Sequence, residues 1–195
     1  MPWSAARPIP SALTRLEAGM YYRLVLIVAP AGSGKTRWLR QWAAWRLSSG
    51  LRPPAWASLT DQDNSLSVFL PHLVSAIAGI DAEFDRWIRL ASQPVKLALP
   101  AESDFLQTFS TEDYLIDLLN TLAQAPGEFA LIVDDYDRID NPEIHQTIAF
   151  LLEYLPPPVH LYLATRRPPP LRLAHLLARR EMIEISPGNL ISSLE

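Results

Sequence analysis

The chain reads as an α/β domain built on a mostly parallel, five-stranded sheet with helices on both faces. Three observations predict this. Short apolar runs of strand length alternate from Leu24 onward with longer segments of helical period. The first run empties into a glycine-bearing loop that opens a helix, and a later run, Phe129 to Val133, ends on two aspartates. Such alternation argues for parallel strands joined by helical crossovers, with polar chemistry at the strands' carboxyl ends.

The elements follow in order. Residues Leu24 to Ala29 read as a buried strand, and the helix from Lys35 to Leu47 carries Trp38, Leu39, Trp42, Ala43 and Trp45 on a broad face, with Arg46 beside them, before Ser48-Ser49-Gly50 ends it. The three tryptophans read as core packing against the sheet. Ala55 to Leu59 is a short strand. Thr60 to Asn64 is a polar loop, and Ser65 to Ala78 a helix in which Pro71 implies an early turn or a kink. Residues 81–109 predict short helices and no function. Ser110 with Asp113 resembles a capping box for a helix from Thr111 to Gln124, striped by Leu115, Leu118, Leu119 and Leu122. After Phe129 to Val133, Asn141-Pro142 caps a helix to Tyr154. Val159 to Thr165, a helix near Leu173 to Arg180, and Met182 to Ile185 complete the alternation.

Bulk properties bound the reading. The 195 residues suit one domain, with an arm and short helix over 1–20, the main body over 21–186, and a tail over 187–195 that begins a linker. Net charge is −4 and no basic block tracks a nucleic acid backbone, so no direct nucleic acid contact is expected. The absence of cysteine removes disulfides and thiolate metal sites and fits a cytoplasmic protein. No secretory signal opens the chain, and no apolar run approaches the ~20 residues needed to span a bilayer. The prolines cluster at Pro53-Pro54, Pro156 to Pro158 and Pro168 to Pro170, where elements should end.

The chemistry begins at Leu24 to Thr36, LVLIVAPAGSGKT, which matches G-x-x-x-x-G-K-[ST] except that Ala29 stands where the first glycine belongs. That pattern is a phosphate-binding loop. Gly32 and Gly34 accept positive φ and let the loop Pro30, Ala31, Gly32, Ser33 and Gly34 turn its successive backbone N–H groups, those after Pro30, inward around a phosphate. Lys35 would meet the β and γ phosphates, Thr36 would offer its hydroxyl to Mg²⁺, and the helix opening at Thr36 and Arg37 would add its dipole. Ala29 costs little if it keeps ordinary strand dihedrals. Only Lys35 and Lys96 among the seventeen basic residues are lysines, so lysine is used where this loop needs it.

About one hundred residues on, Ala130 to Asp135 has the form of a Walker B strand. Asp134 would hold Mg²⁺. Side chains alternate along a strand, so Asp135 is set apart from Asp134 and placed to orient or deprotonate an attacking water. Arg166 ends the next strand, where a cation senses or stabilises a γ-phosphate, while Arg167 points elsewhere. Asp61 and Asp63 are weaker candidates for the same edge. The four histidines show no metal spacing, and no N-K-x-D supports guanine specificity.

The segments RLVLIVAPAGSGKT (Arg23 to Thr36), LRQWAA, WASLTDQDN, LIVDDYDRIDNPEIH and LYLATRRPPPLRLAHLLARREMIEI together resemble the nucleotide-binding domain of the STAND class of signal-transduction ATPases, in the MalT-like branch of large LuxR-type transcription regulators. The resemblance covers nearly the whole chain. It implies a three-layer P-loop NTPase of RecA/ASCE type with strand order 5-1-4-3-2. It also implies a switch in which ADP holds a closed monomer and ATP with an inducer allows self-association, the sensor and effector domains lying elsewhere in a longer parent chain. By position Asp134 resembles the magnesium aspartate, Asp135 the catalytic acid and Arg166 the sensor arginine. Two departures stand out: Ser11 where relatives carry an arginine, and Asp137 where a histidine is frequent. The expected function is thus an ATP- or ADP-binding regulatory switch with slow hydrolysis; the alternatives are a nucleotide-dependent interaction module without hydrolysis and a small-molecule phosphotransferase.

Overall fold

The computed structural model describes residues 13–91 and 111–186. The expected capping role of Ser110, the Ser11 position, Lys96 and the C-terminal tail therefore lie outside the described residues. Five strands form one parallel sheet: β1 (Leu24–Val28), β2 (Ala55–Ser58), β3 (Phe129–Asp134), β4 (Val159–Thr165) and β5 (Met182–Ile185). Their order, β2-β3-β4-β1-β5, is the 5-1-4-3-2 order read from the other edge. Every residue of β3 and β4 is buried, as expected of parallel strands covered on both faces.

Seven helices surround the sheet among the described residues: α1 (Thr14–Ala18), α2 (Lys35–Ser48), α3 (Leu66–Ala78), α4 (Ala82–Ala91), α5 (Thr111–Leu122), α6 (Pro142–Tyr154) and α7 (Ala174–Ala178). Helix α3 continues past Pro71, so the early turn expected there does not end it. Its apolar residues Phe69, Leu70, Leu73 and Val74 are buried around the proline, and that packing outweighs the one lost backbone bond. Helix α6 starts where Asn141-Pro142 predicts, with the Asn141 side chain accepting from the Glu143 N–H at 2.9 Å.

Side-chain alternation along the strands splits the core in two. Leu24, Leu26, Leu131, Val133, Leu161 and Leu163 face a large cluster with α3 to α7. Val25, Ile27, Ala130, Ile132, Tyr162 and Ala164 face a smaller one with α1 and α2, including Leu16, Leu39 and Trp42. Topology explains the division. The crossover from β1 to β2 runs one way across the sheet, and those from β2 to β3, β3 to β4 and β4 to β5 run the other way. Right-handed connections must then lie on opposite faces. Neighbouring strands β1 and β4 thus send their chains to opposite sides, which opens a crevice at their carboxyl ends.

Candidate functional site

The crevice is where the glycine loop stands. Ala29 closes β1, its N–H donating to the Thr165 carbonyl at 3.1 Å. It is buried and lies outside the left-handed region, so the missing first glycine costs no backbone strain. Beyond it the Ser33 N–H turns back to the Pro30 carbonyl at 3.3 Å, and Gly32 and Gly34 take φ of 76° and 87°. A side chain at either would strain the backbone. Gly34 caps α2 in this left-handed conformation, and its carbonyl accepts the Trp38 N–H at 2.9 Å. Pro30, Ala31, Gly32 and Arg37 are exposed, whereas Ser33, Gly34 and Thr36 are half-buried. The Ser33 hydroxyl is buried without a partner.

Lys35 is 7% exposed and arches over its own loop, Nζ donating to the Ala29 carbonyl at 2.6 Å and the Pro30 carbonyl at 3.2 Å. Thr36 Oγ1 donates to Asp134 Oδ2 at 2.8 Å, joining residues 98 positions apart. Asp134 is 2% exposed and its second oxygen accepts the Asp135 N–H at 3.0 Å. Burial pushes the Asp134 carboxyl above its ordinary range, and the Asp135 charge adds to this against the pull of Thr36, the Asp135 N–H and Lys35. A hydroxyl and a buried carboxylate are hard oxygen donors, which suits Mg²⁺.

Asp135 leaves the strand, which ends at Asp134, with φ of 57° and ψ of 38°. The expected separation from Asp134 is present, but a left-handed turn creates it rather than strand alternation. Asp is among the few residues that enter this region at modest cost. Arg166 follows β4 and turns toward the acidic pair: Nη2 lies 3.9 Å from Asp135 Oδ1, and Nε lies 3.3 Å from Asp137 Oδ2. Arg167 lines a cleft of about 410 Å³ with Tyr136, Asp137, Asp140, His145 and Pro168 to Pro170.

No family model matches the chain. Individual relatives do. The HTH-type transcriptional regulator MalT of Cronobacter sakazakii is 32% identical over 173 residues, covering 89% of this chain and 17% of that protein. The MalT of Klebsiella pneumoniae subsp. pneumoniae is 33% identical over the same coverage, and that of Vibrio parahaemolyticus 32% identical over 176 residues. The chain is a homologue of one segment of the MalT-type regulators. It spans less than a fifth of their length. Among solved structures, Cdc6p from Pyrobaculum aerophilum aligns with 94% of the chain at 15% identity and a TM-score of 0.48.

Within this MalT-like segment the weaker candidates separate from the crevice. Asp63 is 4% exposed and closes a capping box, its Oδ2 accepting the Thr60 N–H at 2.7 Å and hydroxyl at 2.8 Å, while Oδ1 meets His72 Nδ1 at 2.7 Å. Burial pushes its carboxyl up, but the bonds from Thr60 and His72 outweigh it and hold the carboxyl below its ordinary value. Asp61 pairs with Arg138 at 3.1 Å on the surface. The remaining histidines have structural partners: His145 bonds the Tyr136 hydroxyl, His160 the Tyr22 carbonyl, and His175 pairs with Glu153. No helix among the described residues is long and apolar enough to cross a membrane.

Sequence reasoning noted Asp137 only as a departure from its relatives and missed its hold on Arg166. It also missed Glu17, whose carboxylate binds Arg46 Nη1 and Trp42 Nε1, each at 2.8 Å. The one available signal was an arginine on the apolar face of α2, because a buried guanidinium requires a carboxylate partner.

Proposed function

We infer that this domain binds Mg-ATP and Mg-ADP in the crevice between β1 and β4 and serves as the nucleotide switch of a MalT-like transcription regulator. The observation that carries the reading is the 2.8 Å bond between Thr36 and Asp134, which joins the phosphate loop to the acidic strand end beside the Lys35 ammonium. Backbone N–H groups from Ala31 to Thr36, with Arg37, would surround the β-phosphate, Pro30 shaping the loop without donating, and Lys35 would leave the loop carbonyls to meet the phosphate oxygens. Thr36 and Asp134 would hold Mg²⁺, which when bound neutralises charge building on the phosphates. Asp135 orients the attacking water and takes its proton; Arg166 faces the terminal phosphate. Slow hydrolysis belongs to the same reading, with Asp135 as its one proposed general base. ATP-dependent self-association, contacts with sensor and effector domains, and a cytoplasmic location complete the reading.

Isothermal titration of Mg-ATP and Mg-ADP into the nucleotide-stripped chain tests it. Saturable binding of both is expected in the wild type and none in Lys35→Ala, with the fold retained by circular dichroism. Equal binding by the variant would remove the crevice from consideration.

A further inference from the structure

Arg166 is held twice by one carboxylate. It is the first residue past β4, and its backbone N–H donates to Asp137 Oδ1 at 3.1 Å while its Nε faces Asp137 Oδ2 at 3.3 Å. Asp137 sits in the tight helical turn Tyr136–Arg138 that follows the left-handed Asp135, and its side chain is 12% exposed. The exits of the adjacent strands β3 and β4 are therefore tied through one side chain. An ordinary surface ion pair adds little and leaves a long side chain free to wander. Here one oxygen fixes the arginine's backbone and the other its Nε edge, and the Nη edge stays turned to Asp135, with Nη2 at 3.9 Å.

We propose that Asp137 is the positioning residue of Arg166, setting the guanidinium so that its Nη edge meets the terminal phosphate of a bound triphosphate. The assignment rests on the nucleotide-binding reading above. An arginine freezes several rotatable bonds when it engages a phosphate, and one already oriented through Nε loses less freedom on doing so. The carboxylate leaves the fork of terminal N–H groups available for oxygens arranged as in a phosphate. Asp137 itself makes no contact with nucleotide, so its effect should be confined to ligands carrying a third phosphate.

The test is a double-mutant cycle on the ratio of affinities for a β,γ-imido ATP analogue and ADP, measured with Mg²⁺ by titration calorimetry. Arg166→Ala is expected to lower the ratio about tenfold, the loss of one charge-assisted contact. Asp137→Ala should lower it by most of that factor while ADP affinity stays within about twofold of wild type. The double variant should be no worse than Arg166→Ala alone. An unchanged ratio in Asp137→Ala, a matching loss of ADP affinity, or full additivity with Arg166→Ala would each overturn the proposal while leaving nucleotide binding standing. Failure of the folded wild-type chain to bind either nucleotide would overturn both. Should the alanine variant not fold, Asp137→Asn, which keeps an acceptor for the backbone N–H and gives up the charge, replaces it in the same cycle.

Discussion

Among single residues, Asp135 and Asp63 show how carboxylates at two different strand ends take different duties. Asp135 is half-buried, carries no covalent or packing duty to the core, and reaches Arg166 across 3.9 Å. Asp135→Asn should therefore leave nucleotide affinity near wild type and slow single-turnover hydrolysis by about a hundredfold or more, the usual loss of a general base. Unchanged turnover would remove that role. Asp63 is tied into the loop after β2, and its charge is favoured in the folded chain. A carboxyl lowered on folding adds stability above its unfolded value of about 4 and loses it as pH falls through the lower folded value. Asp63→Asn should cost about 1–3 kcal/mol in urea unfolding at neutral pH, and the gap to wild type should close below about pH 4. A gap independent of pH would mean that shape, not charge, is what Asp63 supplies.

For the elements, the sequence was most informative where one physical demand dominates. Strands β4 and β5 and helix α6 begin and end where patterning places them, because a fully buried run in β4, a short strand bounded by turns in β5 and an Asn-Pro start in α6 admit few alternatives. The meeting of the glycine loop, Lys35, Thr36 and Asp134 at one sheet edge was legible because motif spacing and parallel topology both place them there. Illegible were the contacts that join distant segments: Asp137 to Arg166, Glu17 to Arg46 and Asp63 to His72. These depend on turns whose direction local periodicity does not encode. Pro71 does not end α3, because propensity yields to packing when the surrounding face is buried. Helix α2 joins the sheet through Trp42, fully buried and stacked on Tyr162 at 4.7 Å between ring centroids. Trp42→Ala should cost about 3–5 kcal/mol in urea unfolding, and a cost below about 1 kcal/mol would show that the smaller core does not anchor the helix.

Across the whole molecule, both cores share β1, β3 and β4, so losing either strips a face of the strands that the other needs, and one cooperative transition is expected. Tryptophan fluorescence, to which α2 contributes three of the six tryptophans, and far-ultraviolet circular dichroism, reporting all helices, should give coincident urea transitions; separated midpoints would mean that the structure does not unfold as one unit. The smaller face also has a mechanical aspect. Helix α2 is a rod of about 21 Å with Lys35 and Thr36 at one end and, eleven residues from Lys35, the Glu17–Arg46 pair clamping the other to α1. Gly19, just after α1, lies so close to Tyr162 and Val25 that a single added carbon would sit 2.4 Å from the Tyr162 hydroxyl. The stretch leading into β1 thus has almost no slack against the sheet. A tug on α1 from preceding chain would reach the phosphate loop as a shift of the rod, much as a bell-pull rings a bell in another room.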